Sequence, residues 1–285
     1  MTLASPLRFE SEALPSSVLR LKRYSPYLGA TASGIDLRRP ISAELAVELR
    51  QALLDHGVLF FRQQRLSPED LLRFASVFGS PLRHNPYLPA APENEGVELI
   101  ESGLGQRSAN ESWHADVTWR PSPPTATLLY AVELPRQGGD TIWTSSTAAY
   151  RSLHPLLGAY LETLTAVNFV DANGYARNVQ QSAVLSQLRA ENPPLEVPVV
   201  TIHPQTGEKS IFVNELHTLY IQGLTRIVSD SLLRLLFGVL ADPVRHARFD
   251  WSEGSLAVWD NRLVQHRAIQ DYGNQHRVLQ RVTIA

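Results

Sequence analysis

The stretch SWHADVTW, Ser112 to Trp119, sets an imidazole and a carboxylate two residues apart between bulky aromatic side chains. On a strand, residues two apart project to one face, so His114 and Asp116 at a strand end point into one cavity. Two chemistries fit the pair: a buried His–Asp hydrogen bond, or two adjacent positions of a metal's coordination sphere. His-x-Asp alone is common and does not decide between them. A metal needs a third ligand from elsewhere, and the best candidate is His266, in WDNRLVQHRAI about 150 residues later. Two histidines and one carboxylate on one face of Fe(II) leave three positions open for substrate and oxygen.

The segment after His266 favours the metal. Arg277 lies eleven residues past it and Arg281 fifteen. The two arginines are four apart in RVLQR, so on a strand they share a face. Arginine binds carboxylates through two parallel hydrogen bonds and keeps its charge when buried. Two arginines on an inward face are costly without an anionic partner.

Composition narrows the classes. The chain has 285 residues, enough for one large domain or two small ones, and 44% hydrophobic residues, enough for a sizeable core. A formal net charge of -2 gives no bulk field for nucleic acid or an anionic membrane. With no cysteine, any metal must be held by nitrogen and oxygen. The N-terminus lacks a basic stretch followed by an apolar run, and no run of eighteen apolar residues exists. A cytoplasmic protein with no membrane or nucleic-acid partner is the expectation.

Punctuation along the chain predicts its elements. Ser42 caps a helix through about His56, which Gly57 ends; GVLFFR reads as a buried strand; SPEDLLRFASVFG is a second helix, with Ser67 as cap and Pro68 at its first position. From residue 97 onward strand-like segments dominate, among them VELIES, TATLLYAVEL, DTIWT, SLAVWDN and RVLQRVTIA. Helices over roughly 146–164 and from Asp230 to about Leu240 interrupt them. The pattern is mainly β with flanking helices packed outside a sandwich or barrel. Polar residues 171–196 read as a lid or a surface excursion.

Together, several segments resemble the taurine dioxygenase (TauD/TfdA) branch of Fe(II)- and 2-oxoglutarate-dependent dioxygenases. WHADVTW is similar to that family's WHTDVTF, GGDTIWTS to its GGDT segment, HPQTGEKSIFVNE to HPxTGxKxLFVN, and WDNRLVQHRAIQDYGNQHRVLQRVTI to WDNR…QH…DY…R…R. The resemblance implies a double-stranded β-helix, the cupin-like jelly roll. It implies a single domain over 1–285, with a lead-in over about 20–95, a core over about 97–285 and a candidate lid over 168–196. It makes His114, Asp116 and His266 the Fe(II) ligands. Thr141, Arg277 and Arg281 become contacts of 2-oxoglutarate, and Arg281 also reaches toward the substrate's anionic group. The co-substrates implied are 2-oxoglutarate and O2, the products succinate and CO2, and the assembly a homo-oligomer.

For the substrate, the resemblance places His84 and Tyr87 of HNPY, Asn110, Val117, Trp119 and Arg281 around a small organic anion. Where the taurine enzyme has an aromatic residue after VNE, this chain runs VNELHTLYIQG, with His217 near that place. An amino-acid-derived isonitrile acid is an alternative substrate. A noncatalytic binding barrel and a zinc hydrolase are the competing accounts. The remaining histidines read as structural, His203 in a hairpin turn and His276 facing solvent.

Overall fold

The computed structural model of the chain describes residues 18–82, 90–91, 94–103, 111–170 and 186–285. Its larger sheet has eight strands, in the order β1 (Arg20–Arg23), β2 (Ala30–Ser33), β3 (Val58–Phe61), β14 (Leu256–Asp260), β6 (Ala126–Glu133), β16 (Arg277–Ile284), β5 (Asn94–Ser102) and β4 (Ala90–Ala91). A three-stranded sheet, β13 (His246–Phe249), β7 (Thr141–Ser145) and β15 (Val264–Ala268), faces it. A second three-stranded sheet, β12 (Thr218–Ile221), β8 (Thr165–Asn168) and β9 (Leu195–Pro198), and the hairpin β10 (Val200–Ile202)–β11 (Lys209–Ile211) complete the strands. The pairings are antiparallel except for β2 with β3.

Alternation along the strands of the larger sheet builds two cores at once. Leu279 of β16, Ala257 and Trp259 of β14, and Leu129 and Ala131 of β6 point inward, where they meet Trp143, Ala247, Phe249 and Val264 of the facing sheet. The intervening residues Val282, Ile284, Leu256, Val258, Leu128 and Tyr130 point outward into a second core. That core is covered by Leu49 and Leu53 of helix α1 (Ala43–His56) and by Leu71 and Phe74 of α2 (Pro68–Ala75). A sheet buried on both faces reads as a continuous apolar run, which LAVW and ATLLYAV do. The two facing sheets with helices outside form the jelly roll that the sequence suggested.

The helices follow their caps. Ser42 accepts the Leu45 N–H, and Gly57, at φ 71, closes α1 in the left-handed conformation open to glycine. Ser67 and Asp70 form a capping box on α2. The helix expected over 146–164 is two short ones, α3 (Ser146–Arg151) and α4 (Pro155–Leu161). Pro155 is the reason: it disfavours helical geometry at His154, which instead caps α4. Residues 186–191 are helical (α5), and α6 (Arg226–Leu240) starts before Asp230, its first turn braced by the Arg226–Asp230 ion pair. Most of the candidate lid, residues 171–185, lies outside the described residues. No helix among the described residues is long and apolar enough to cross a membrane.

Leu279 sits between the two inward arginines and fills the seam between the facing sheets. Leu279→Ala is expected to lower unfolding free energy by about 2–5 kcal/mol, read as a fall in the urea midpoint at constant m-value. A change under about 0.5 kcal/mol would show that the seam is not the core.

Candidate metal centre and active site

His266 lies on β15, opposite Trp143 of β7. His114 joins the same strand through a single antiparallel bridge: its N–H donates to the His266 carbonyl at 3.0 Å, and the His266 N–H donates back at 2.8 Å. The imidazole centroids are 4.2 Å apart. Only His114 is in strand geometry. Asp116 belongs to a turn rather than the expected strand end, and Val117 takes φ 55, a conformation strained for a β-branched side chain. Asp116 thus reaches the cavity by a turn and not by the pleat. One ligand atom from each of His114, Asp116 and His266 lies within 4.8 Å of the others, and all three residues are buried.

Hydrogen bonds aim two of the three, Asp116 and His114, while His266 Nδ1 is buried without a partner. The Thr127 hydroxyl donates to Asp116 Oδ2 at 2.7 Å, and Asn261 Nδ2 donates to that hydroxyl at 2.9 Å. Asn261 Oδ1 in turn accepts from the Asp116 N–H and from Trp259 Nε1. His114 Nδ1 donates to the Ser112 carbonyl at 2.8 Å, which leaves Nε2 as its free nitrogen. Sequence reasoning missed Thr127 and Asn261. The signal for Asn261 was its place in WDN, two residues after Trp259; Thr127 is an inward position of β6.

The charge states suit a divalent cation. Burial pushes the His266 imidazole down to about 3, with His114 adding to the effect. Burial likewise lowers His114, although Asp116 opposes it. Burial alone would raise the Asp116 carboxyl; His266, Arg281, His114 and the Thr127 hydroxyl outweigh it and hold it at about 2. Neutral imidazoles and an ionised carboxylate are the forms in which these groups bind metal.

Arg277 packs against Gly139, two residues before Thr141. Arg277 is 4% exposed, and burial lowers its basicity. One guanidinium nitrogen donates to the Gly139 carbonyl at 3.0 Å, while Nε is buried without a hydrogen-bond partner. Among the described residues no carboxylate forms an ion pair with it. Gly139, at φ 76, takes a conformation that residues with a side chain rarely adopt, and a Cβ there would also crowd Arg277 Nε at 3.3 Å. Thr141, one strand away from His266 in the facing sheet, is buried and accepts from Trp251 Nε1 at 3.0 Å. A buried cation with an orphaned N–H fits a carboxylate of a dicarboxylic acid.

Arg281 differs. It donates through Nε to Glu98 Oε2 at 2.7 Å and lies 3.5 Å from Asp116 Oδ1. His217, 4% exposed, stands edge-on to His114 with ring centroids 6.3 Å apart, and its Nδ1 has no hydrogen-bond partner. Burial and the neighbouring His114 push it down to about 3, against weaker opposition from Asp116 and the Phe169 backbone. The His217 turn is fixed by Asn214, Thr218 and Asn168, whose side chains bond one another and Thr118. Trp119 and Val117 join Phe169, Val170 and Leu188 in an apolar cluster. His84, Tyr87 and Asn110 lie outside the described residues. His203 organises its hairpin and bonds Asp260, and His276 bonds Glu101 and Glu133.

Two imidazoles and one carboxylate on one side of a jelly-roll cavity are the donor set of a mononuclear non-haem metal enzyme. The family model described as taurine catabolism dioxygenase TauD, TfdA family, matches residues 20–283, and the chain belongs to that family. It is 36% identical over 278 residues to an alkylsulfatase of Acinetobacter baylyi, covering 95% of this chain and 86% of that protein. It is 32% identical over 264 residues to an alpha-ketoglutarate-dependent sulfate ester dioxygenase of Pseudomonas putida, covering 90% and 86%. The crystal structure of a taurine dioxygenase from Burkholderia xenovorans superposes with a TM-score of 0.79 at 31% identity, covering 94% and 89%. The protein is therefore an Fe(II)- and 2-oxoglutarate-dependent dioxygenase, an oxidoreductase that consumes O2. The noncatalytic barrel, the zinc hydrolase and the isonitrile acid are not favoured by these likenesses.

The buried imidazoles carry a pH signature. His114, His217 and His266 bind protons less readily when folded than when unfolded, so the unfolded chain holds more protons below about pH 6.5. Each therefore costs stability as pH falls through that value, at up to about 1.4 kcal/mol per pH unit. Asp116, held low, adds a loss in the same direction only below about pH 4. Metal-free protein is expected to melt at progressively lower temperature from pH 7 to pH 5, and His217→Phe should flatten the slope by about one proton. An unchanged slope in that variant would refute the burial of a neutral His217.

Proposed function

We propose that His114, Asp116 and His266 hold the ferrous ion, that Arg277 takes the distal carboxylate of 2-oxoglutarate with Thr141 beside it, and that the enzyme oxidises a small organic anion of the sulfate-ester or sulfonate class. The observation that carries this is three metal-competent donors brought together, with Arg281 beside Asp116 and, on the same face of β16, a buried Arg277 whose Nε is unpartnered. Iron, with 2-oxoglutarate and O2, supplies the oxidising power, and 2-oxoglutarate leaves as succinate and CO2.

The protein's own side chains do the positioning. Thr127 and Asn261 keep Asp116 ionised and aimed. Trp143 and Trp259 pack against the His266 ring, at 6.3 and 4.7 Å between centroids, and keep water from it. Arg281 meets the anionic end of the substrate, and Val117 and Trp119 line its apolar part; the family resemblance adds His84, Tyr87 and Asn110 as substrate contacts. His217 adds a neutral hydrogen-bonding group at the same cavity. The sulfate-ester and sulfonate class is supported by the names of the relatives. This reading is of one domain with a lid over 168–196, working as a homo-oligomer in the cytoplasm; the exposed Leu156 and Ile227 are suited to subunit contact.

Anaerobic addition of Fe(II) and 2-oxoglutarate should produce a weak visible charge-transfer band. Asp116→Ala and His266→Ala should abolish it, and a retained band in either would refute the ligand set. Arg277→Ala should weaken 2-oxoglutarate binding by ~100-fold, the effect of unpairing a buried ion. Succinate release across hexyl sulfate, small sulfonates and aryloxy acids ranks the substrates.

A further inference from the structure

Arg277 and Arg281 share the inward face of β16, yet they stand in opposite electrostatic settings. Arg277 lies across from Ser102 of β5, while Arg281 lies directly across from Glu98 of the same strand. Glu98 is 4% exposed and accepts from Arg281 Nε at 2.7 Å. The other side of the same guanidinium is 3.5 Å from Asp116 Oδ1. Two carboxylates therefore flank one cation in this corner, whereas Arg277 forms no ion pair among the described residues. An acid buried on the inward face of a strand is rare unless paired. Here the pairing uses one edge of the arginine that the reading above assigns to the substrate.

An anionic head group that reaches Arg281 also comes within a few ångströms of Glu98. Coulomb repulsion at that range is weakly screened in a buried site and scales with the charge of the incoming group, so it doubles for a dianion. We propose that Glu98 is a specificity-determining residue: as a built-in counter-charge on Arg281, it restricts the substrate pocket to head groups of one negative charge and rejects dianions such as phosphate monoesters. The proposal rests on Arg281 meeting the substrate's anionic end. Arg277, which forms no ion pair among the described residues, carries no such counter-charge, so the proposed 2-oxoglutarate site does not depend on Glu98.

Glu98→Gln tests this, because glutamine keeps the volume and the acceptor for Arg281 Nε while removing the charge. Wild type and variant are loaded anaerobically with Fe(II) and 2-oxoglutarate at pH 8. They are then titrated with hexyl sulfate, a monoanion, and hexyl phosphate, a dianion, following the visible band and the rise in melting temperature. Wild type should bind hexyl sulfate at least ~100-fold more tightly than hexyl phosphate. E98Q should bind hexyl sulfate about tenfold more tightly than wild type does, and should gain hexyl phosphate binding, with affinity for 2-oxoglutarate unchanged within about twofold. The proposal is overturned if wild type takes both head groups equally, or if E98Q binds hexyl sulfate no more tightly than wild type. The first comparison needs no variant, so it decides even if E98Q does not fold. A normal band with no response to hexyl sulfate in either protein removes the anion role of Arg281, and that of Glu98 with it, while leaving the iron and 2-oxoglutarate assignment standing. Absence of the band removes that assignment, and the anion-dependent melting shifts still report on Glu98.

Discussion

Two backbone hydrogen bonds between His114 and His266 join parts of the chain about 150 residues apart, and the site depends on that closure. Neither histidine has a short-range reason to meet the other. They meet because β15 is fixed in register against β7, and because the WHAD segment reaches that strand for a single residue before turning away. The turn at Asp116 and Val117 completes the constellation at the cost of an unfavourable backbone conformation. Strain of this kind persists only where the surroundings over-determine it, and the Thr127–Asn261–Trp259 chain of hydrogen bonds does so here.

The second constraint is the position of β16 between β5 and β6. A one-residue slip would send Arg277, Leu279 and Arg281 outward into the helix-covered core and bring Gln280 and Val282 to the cavity. The two apolar cores on either face of the sheet forbid that slip, because each face has its own complement of large side chains. Packing thus sets the register, and the register sets which residues confront the metal site.

Burying this many ionisable groups is unfavourable, and the fold offsets the cost unevenly. Asp116 is surrounded by donors and cations; Arg281 is held between two carboxylates; His203 and Arg262 share Asp260. Arg277 Nε and His217 Nδ1 are left without hydrogen-bond partners. His266 Nδ1 is likewise without one. Buried polar atoms are rarely left unpaired, and those at a binding site are ones a bound molecule can complete. The protein is pre-organised around what it binds, and the same buried imidazoles make it sensitive to acid.

Local chemistry was legible in the amino-acid sequence. Ser42, Gly57, Ser67 and Pro68 mark helix ends through hydrogen bonds made within a few residues, and the alternation of RVLQRVTI places both arginines on one face whatever the strand pairs with. That His114, Asp116 and His266 come together was legible because the motifs around them are specific in combination. Pro155 was in plain view, yet the apolar periodicity on either side of it masked the break between α3 and α4. The tertiary structure alone decided that Asp116 arrives by a turn, that Thr127 and Asn261 support it, that His217 stands edge-on to His114, and that Glu98 pairs with Arg281. The physical reason is range: caps and alternation are settled by neighbours along the chain, whereas the pairing of Glu98 with Arg281, 183 residues apart, exists only once β5 and β16 are in register.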